Sequence, residues 1–91
     1  MSEPASRTVL ITNKRGLHAR ASAKFVTLAS SQPVALTVVK DGPPVTATSI
    51  MGLMMLGAAM GDSITISATG DGAEDAVAAL AQLVEERFGE D

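Results

Sequence analysis

The chain has 91 residues, 46% of them hydrophobic, with a formal net charge of −3 and no cysteine, which bounds it to one small globular domain, residues 1–91 with an ordered core of about 7–88. The absence of cysteine excludes a disulfide framework or thiolate site, and one histidine without an acidic cluster offers no zinc site, so no metal and no cofactor are expected. Net acidity with two phenylalanines and no Trp or Tyr excludes nucleic acid, and the lack of a signal-like start or an apolar run of ~20 residues leads us to expect no membrane insertion and a cytoplasmic protein.

Thr8-Val9-Leu10-Ile11-Thr12 is a β-branched run that reads as a first strand, and Asn13 to Gly16 is a polar loop closed by glycine. Helical periodicity begins at Ala19 and runs to about Ser30, with Ser22, Phe25, Val26 and Ala29 at i, i+3, i+4 and i+7. Pro33 ends it, because proline disfavours the α region before it. Val34 to Lys40 alternates as a second strand, Asp41-Gly42 is a hairpin signal, and Val45-Thr46-Ala47 makes a short third strand. Ser49 is placed to cap a helix from Ile50 to about Leu56. Ser63 to Thr69 alternates, with Ile64, Ile66 and Ala68 predicted inward. Ala73 to Phe88 is the longest predicted helix, its core stripe being Ala73, Ala76, Val77, Leu80, Leu83, Val84 and Phe88. The order is β-α-β-β-α-β-α, an α+β pattern of three amphipathic helices covering one face of a four-stranded sheet. Periodicity does not give the strand order, and a ferredoxin-like split βαβ shares much of this string.

His18 is the only histidine, and it stands where the first helix opens. A helix N-terminus presents unpaired N–H groups and the positive end of the macrodipole, which together receive an anion. Four of the seven basic residues, Lys14, Arg15, Arg20 and Lys24, fall within eleven positions around it, and no acid lies between Glu3 and Asp41. An imidazole titrates near pH 6.5 in general, so a large share is neutral and nucleophilic near pH 7. Arg20 is the candidate to hold phosphoryl oxygens by charge-assisted hydrogen bonds. The plain alternative for a lone histidine at a helix start is a cap or a surface residue. For Lys14 and Arg15 solvated charge is the better reading, and for Lys24 it is steering of a charged partner.

Ile50-Met51-Gly52-Leu53-Met54-Met55-Leu56 is too short a helix to bury every side. Leu53 and Leu56 are expected to face the sheet, leaving Ile50, Met51 and Met54 as an apolar patch of the kind that marks interaction sites.

Gly16-Leu17-His18-Ala19-Arg20 and Ser49-Ile50-Met51-Gly52-Leu53-Met54-Met55-Leu56-Gly57 resemble the active-site motif and the regulatory-serine segment of the histidine-containing phosphocarriers, HPr, of the bacterial phosphotransferase system. Gly61 to Gly70 is similar to the last strand of that family, and the likeness runs from about Arg7 to Phe88. Ala21 stands where the family usually has proline, and Thr48 where it often has lysine. The resemblance implies an open-faced β-sandwich with an antiparallel sheet in the order 1-4-2-3 and three helices on one face. It implies a phosphocarrier rather than an enzyme: His18 receives a phosphoryl group, on Nδ1, from phosphorylated Enzyme I and passes it to a downstream phosphotransferase-system protein. Sugar uptake and a nitrogen-related regulatory relay are both consistent with it. It also implies regulation through Ser49 by HPr kinase/phosphorylase, a partner surface of Ala19, Lys24, Ile50, Met51 and Met54, and a monomer. Two other readings compete: a small ferredoxin-like regulatory module binding an anionic ligand at the basic loop, and a stand-alone hydrolase built on His18. The hydrolase is disfavoured because no carboxylate lies near His18 in sequence to orient it.

Overall fold

The computed structural model of the protein describes residues 4–90. Its elements are β1 (Ala5–Leu10), α1 (Ala19–Ser30), β2 (Leu36–Val39), β3 (Val45–Thr46), α2 (Ile50–Met55), β4 (Ser63–Ala68) and α3 (Ala73–Glu85), followed by a 3-10 turn at Arg87–Gly89. The sheet order is β1-β4-β2-β3 with every pairing antiparallel. This is the α+β open-faced sandwich with the 1-4-2-3 order.

Alternation places the two sides of the sheet. Val9, Ile64, Ile66, Ala68, Leu36 and Val38 are buried against the helices, while Thr8 and Thr65 share a hydrogen bond of 2.9 Å on the exposed side. Phe25 of α1, Leu53 of α2 and Leu80 and Val84 of α3 complete the core, all with no exposed surface. Burying each such side chain stabilises the fold by about 1.5–3 kcal/mol.

Three elements depart most from the sequence reading, each for a tertiary reason, and the third and fourth strands each end one residue early, at Thr46 and Ala68. The first strand starts at Ala5 rather than Thr8 because β4 offers it partners from Ala68 to Ser63, although Ala5-Ser6-Arg7 carries little β propensity of its own. The second strand is cut to Leu36–Val39, the stretch that β4 pairs, and Lys40 turns away to Asp62 Oδ2 at 3.4 Å. The last helix stops at Glu85, not Phe88. Arg87 and Phe88 take left-handed φ of 58° and 55°, a conformation costing about 1–2 kcal/mol for each non-glycine residue. Burial of the Phe88 ring, 1% exposed, offsets that cost.

Candidate functional site

The loop ahead of α1 is pinned at both ends. Gly16 has φ +62° and passes so close to the α2 exit that a Cβ would lie 2.8 Å from Ala59 Cα, so only glycine fits. Leu17 N–H donates to Ala58 O at 3.0 Å, and Gly16 N–H to Asn13 O at 3.2 Å. This delivers His18 to the N-cap of α1 in an extended conformation, φ −72° and ψ 179°. Its carbonyl accepts from Ser22 N–H at 2.9 Å, and its Nδ1 accepts from Arg20 N–H at 3.2 Å. Ser22 Oγ–H, fully buried, donates to Leu17 O at 3.2 Å and closes the turn from inside.

On the far side of the ring, Nε2–H donates to Glu90 Oε2 in a short hydrogen bond. A carboxylate only accepts, and Nδ1 already accepts, so the neutral ring that satisfies both contacts is the Nε2–H tautomer. Glu90 Oε1 accepts from Asn13 Nδ2 at 3.1 Å, and the same amide donates to Gly16 O at 2.8 Å. Asn13 is buried, and its Oδ1 has no partner among the described residues. The hydrogen bond from His18, then the one from Asn13, hold the Glu90 carboxyl below its ordinary range, with the Arg15 charge adding to both.

Sequence reasoning missed Glu90 and Asn13, and it placed Phe88 rightly in the core but on a continuing helix rather than at a chain reversal. Gly89, at φ +76°, is a helix-stop signal that could have placed the end of α3 earlier. Nothing local says that an acid 72 positions away meets His18. No carboxylate lies near His18 in sequence, as expected, but the fold brings one to hydrogen-bond it from 72 positions away.

The remaining site residues fall as follows. Ala19 and Arg20 are exposed in the first turn of α1. Lys24, expected to steer partners, donates from Nζ to Phe88 O at 2.6 Å and ties α1 to the C-terminal turn. Ser49 is the N-cap of α2, its Oγ accepting from Gly52 N–H at 2.9 Å. Ile50, Met51 and Met54 are exposed, as are Met55 and Met60, which the sequence reading left out; Leu53 is buried and Leu56 half-buried. Met55 is the most exposed of them, at 79%. Among the described residues, no group of three His, Cys, Asp or Glu could hold a metal ion, and no helix is long and apolar enough to cross a membrane.

Residues 5–86 match the family described as PTS HPr component phosphorylation site. The phosphocarrier protein HPr of Cupriavidus necator is 44% identical over 84 residues, covering 92% of this chain and 94% of that protein. The phosphocarrier protein NPr of Shewanella violacea is 42% identical, covering 92% of each chain. A crystal structure of HPr from Thermoanaerobacter tengcongensis superposes with a TM-score of 0.90 at 46% identity, covering 96% of this chain and 98% of that one. A chain with this sheet order, this motif around His18 and relatives of this identity across nearly its whole length belongs to the HPr family, the phosphocarrier proteins of the phosphotransferase system.

Proposed function

We propose that His18 carries the phosphoryl group on Nδ1, taking it from phosphorylated Enzyme I and handing it to a downstream phosphotransferase-system protein. The observation that carries this reading is the position of Nδ1: it lies at the N-terminus of a twelve-residue helix, 3.2 Å from Arg20 N–H. That cap bond is long for N–H to an acceptor, and the group it occupies is the ring's nucleophilic lone pair. A phosphoryl group arriving there gains the backbone N–H groups of the first turn and the helix dipole. The exposed Arg20 guanidinium adds a planar donor set for its oxygens. Such transfer needs positioning and charge stabilisation more than covalent machinery.

Docking falls to Ala19, Ile50, Met51 and Met54, with Met55 added. Flexible thioethers suit a carrier that meets a donor and then an acceptor. Phosphorylation of Ser49 by HPr kinase would put roughly −2 charge at the edge of this apolar surface. HPr and NPr names occur among relatives of similar identity, so the proposal stands at the level of the carrier step that both names share. The test is incubation with Enzyme I and phosphoenolpyruvate, then intact mass. One added phosphoryl group, lost in acid and kept in alkali, is expected. An unchanged mass, or an acid-stable adduct, would overturn the reading.

A further inference from the structure

The family match ends at residue 86, and the contacts of the arm that follows converge on His18. Arg87 and Phe88 turn the chain with positive φ, Gly89 continues the turn at φ +76°, and Glu90 N–H donates to Arg87 O at 2.9 Å. Phe88 is buried, and its carbonyl accepts from Lys24 Nζ at 2.6 Å. Glu90 then bridges His18 Nε2 and Asn13 Nδ2 with its two carboxylate oxygens. Asn13 is fixed in turn by Gly16 O at 2.8 Å. Each of these contacts restricts where one carboxylate lies relative to one ring nitrogen.

We propose that Glu90 is a positioning residue for phosphoryl carriage: it holds His18 as the Nε2–H tautomer with the Nδ1 lone pair at the start of α1, and it faces the positive charge the ring takes up on phosphorylation. The inference rests on His18 being the phosphoryl acceptor. In the transfer step the Nδ1 lone pair forms the N–P bond while the bond from phosphorus to the donor's ring nitrogen breaks, its electron pair staying with the donor ring. No proton moves. Nε2 keeps its hydrogen, and the His18 ring becomes a cation against the Glu90 carboxylate. Handing the group on breaks the N–P bond and returns the pair to Nδ1. The other neutral tautomer has no lone pair at Nδ1, and it turns the Nε2 lone pair toward a carboxylate, a repulsive contact.

The test uses the full-length, ¹⁵N-labelled protein with Glu90→Gln and Glu90→Ala. Ring-nitrogen shifts read the tautomer directly, before any phosphate is added. Wild type is expected to show Nε2–H. Glu90→Ala is expected to mix the tautomers and to lower kcat for phosphate uptake on the order of tenfold, the lower end of the cost of removing a carboxylate that orients a metal-bound histidine. Its KM for Enzyme I and the amide shifts of Phe88 and Gly89 are expected to stay at wild-type values, which a merely structural role would not allow. Glu90→Gln keeps an acceptor oxygen and is expected to retain the tautomer while losing rate. Wild-type ring shifts or wild-type kcat in Glu90→Ala would overturn the proposal, and wild-type kcat in Glu90→Gln would overturn its charge component. A wild-type protein that takes up no phosphate overturns the carrier reading instead, and the ring shifts of Glu90→Ala then still decide whether Glu90 sets the tautomer.

Discussion

Two helices of this molecule begin with a side chain that accepts a backbone N–H, and the two are held in different ways. Ser49 accepts from Gly52 N–H at 2.9 Å, the usual reach from an N-cap to the third helical position. A Cβ on Gly52 would lie 3.1 Å from Ser49 Oγ and 3.3 Å from Val45 Cβ, so this cap is tight and local. His18 accepts at 3.2 Å from the second helical residue, and its other nitrogen is held by Glu90 from 72 positions away. A cap whose whole task is to close a helix needs nothing beyond its own turn. In the proposed carrier step the ring releases its cap bond to take a phosphoryl group, and the contact from outside the helix is what would keep its orientation. Asn13, Lys24 and Phe88 hold that outside partner in place.

The largest effect that would break this contrast is loss of the ring itself. His18→Ala is expected to abolish phosphate uptake from phosphorylated Enzyme I, read by intact mass, because no other imidazole exists in the chain. The fold should survive with about 1 kcal/mol lost, the ordinary worth of an N-cap. Full labelling of this variant would remove His18 from the mechanism. Arg20→Ala comes next. Its backbone N–H remains, so the cap persists, but the exposed guanidinium is gone. Uptake is expected to slow about 100-fold, the scale for losing one preorganised donor to developing charge. Rates equal to wild type would mean that the helix N–H groups suffice.

The two caps also differ in how far the sequence exposes them. Ser49 at the head of an apolar run, and the alternation from Ser63 to Ala68, are local patterns, and both were legible. So was the α3 stripe, because its buried positions repeat with the helical period. The polar start of β1 was not, since Ala5 to Arg7 are strand by virtue of β4 alone. The strand order came from family resemblance, as periodicity carries no information on neighbours. His18 was found by its isolation and its basic surroundings, yet the half of its site supplied by Glu90 was invisible. That contact depends on Phe88 reversing the chain through left-handed backbone, against the helical pattern running up to it.

The α2 side of the comparison is tested on its surface. Ser49→Asp should leave the helix intact, since Asp is as good an N-cap as Ser and suits the dipole. Its charge must nevertheless be desolvated when a partner covers the patch, so uptake from Enzyme I is expected to fall roughly thirtyfold, about 2 kcal/mol. Ser49→Ala separates the roles, costing about 1 kcal/mol of stability with transfer nearly unchanged. Met51→Glu is smaller still. Met51 is 71% exposed, so melting should not move, while the KM for Enzyme I is expected to rise about tenfold, ~1.4 kcal/mol. A large drop in melting temperature would instead make Met51 part of the core.

Acid should reach the two caps unequally, and this is the gentlest test. Ser49 and Gly52 carry no titrating group, so the Gly52 amide shift should stay flat in its own contact as pH falls. At α1, by contrast, the outer ring nitrogen of the cap is held by a titrating carboxyl, Glu90. The Glu90 carboxyl is held below its ordinary range by His18 first and Asn13 second. A carboxyl lowered in the folded state contributes stability that is complete above its unfolded value and is lost as pH falls through the lowered one. The arm is therefore expected to stay docked through the ordinary carboxylate range and to release only below it. Following the Gly52 and Glu90 amides by NMR down a single titration checks this: Glu90 moves only below the ordinary carboxylate range, and Gly52 not at all. Release of Glu90 within the ordinary carboxylate range would mean that His18 and Asn13 do not hold its carboxyl as the geometry implies.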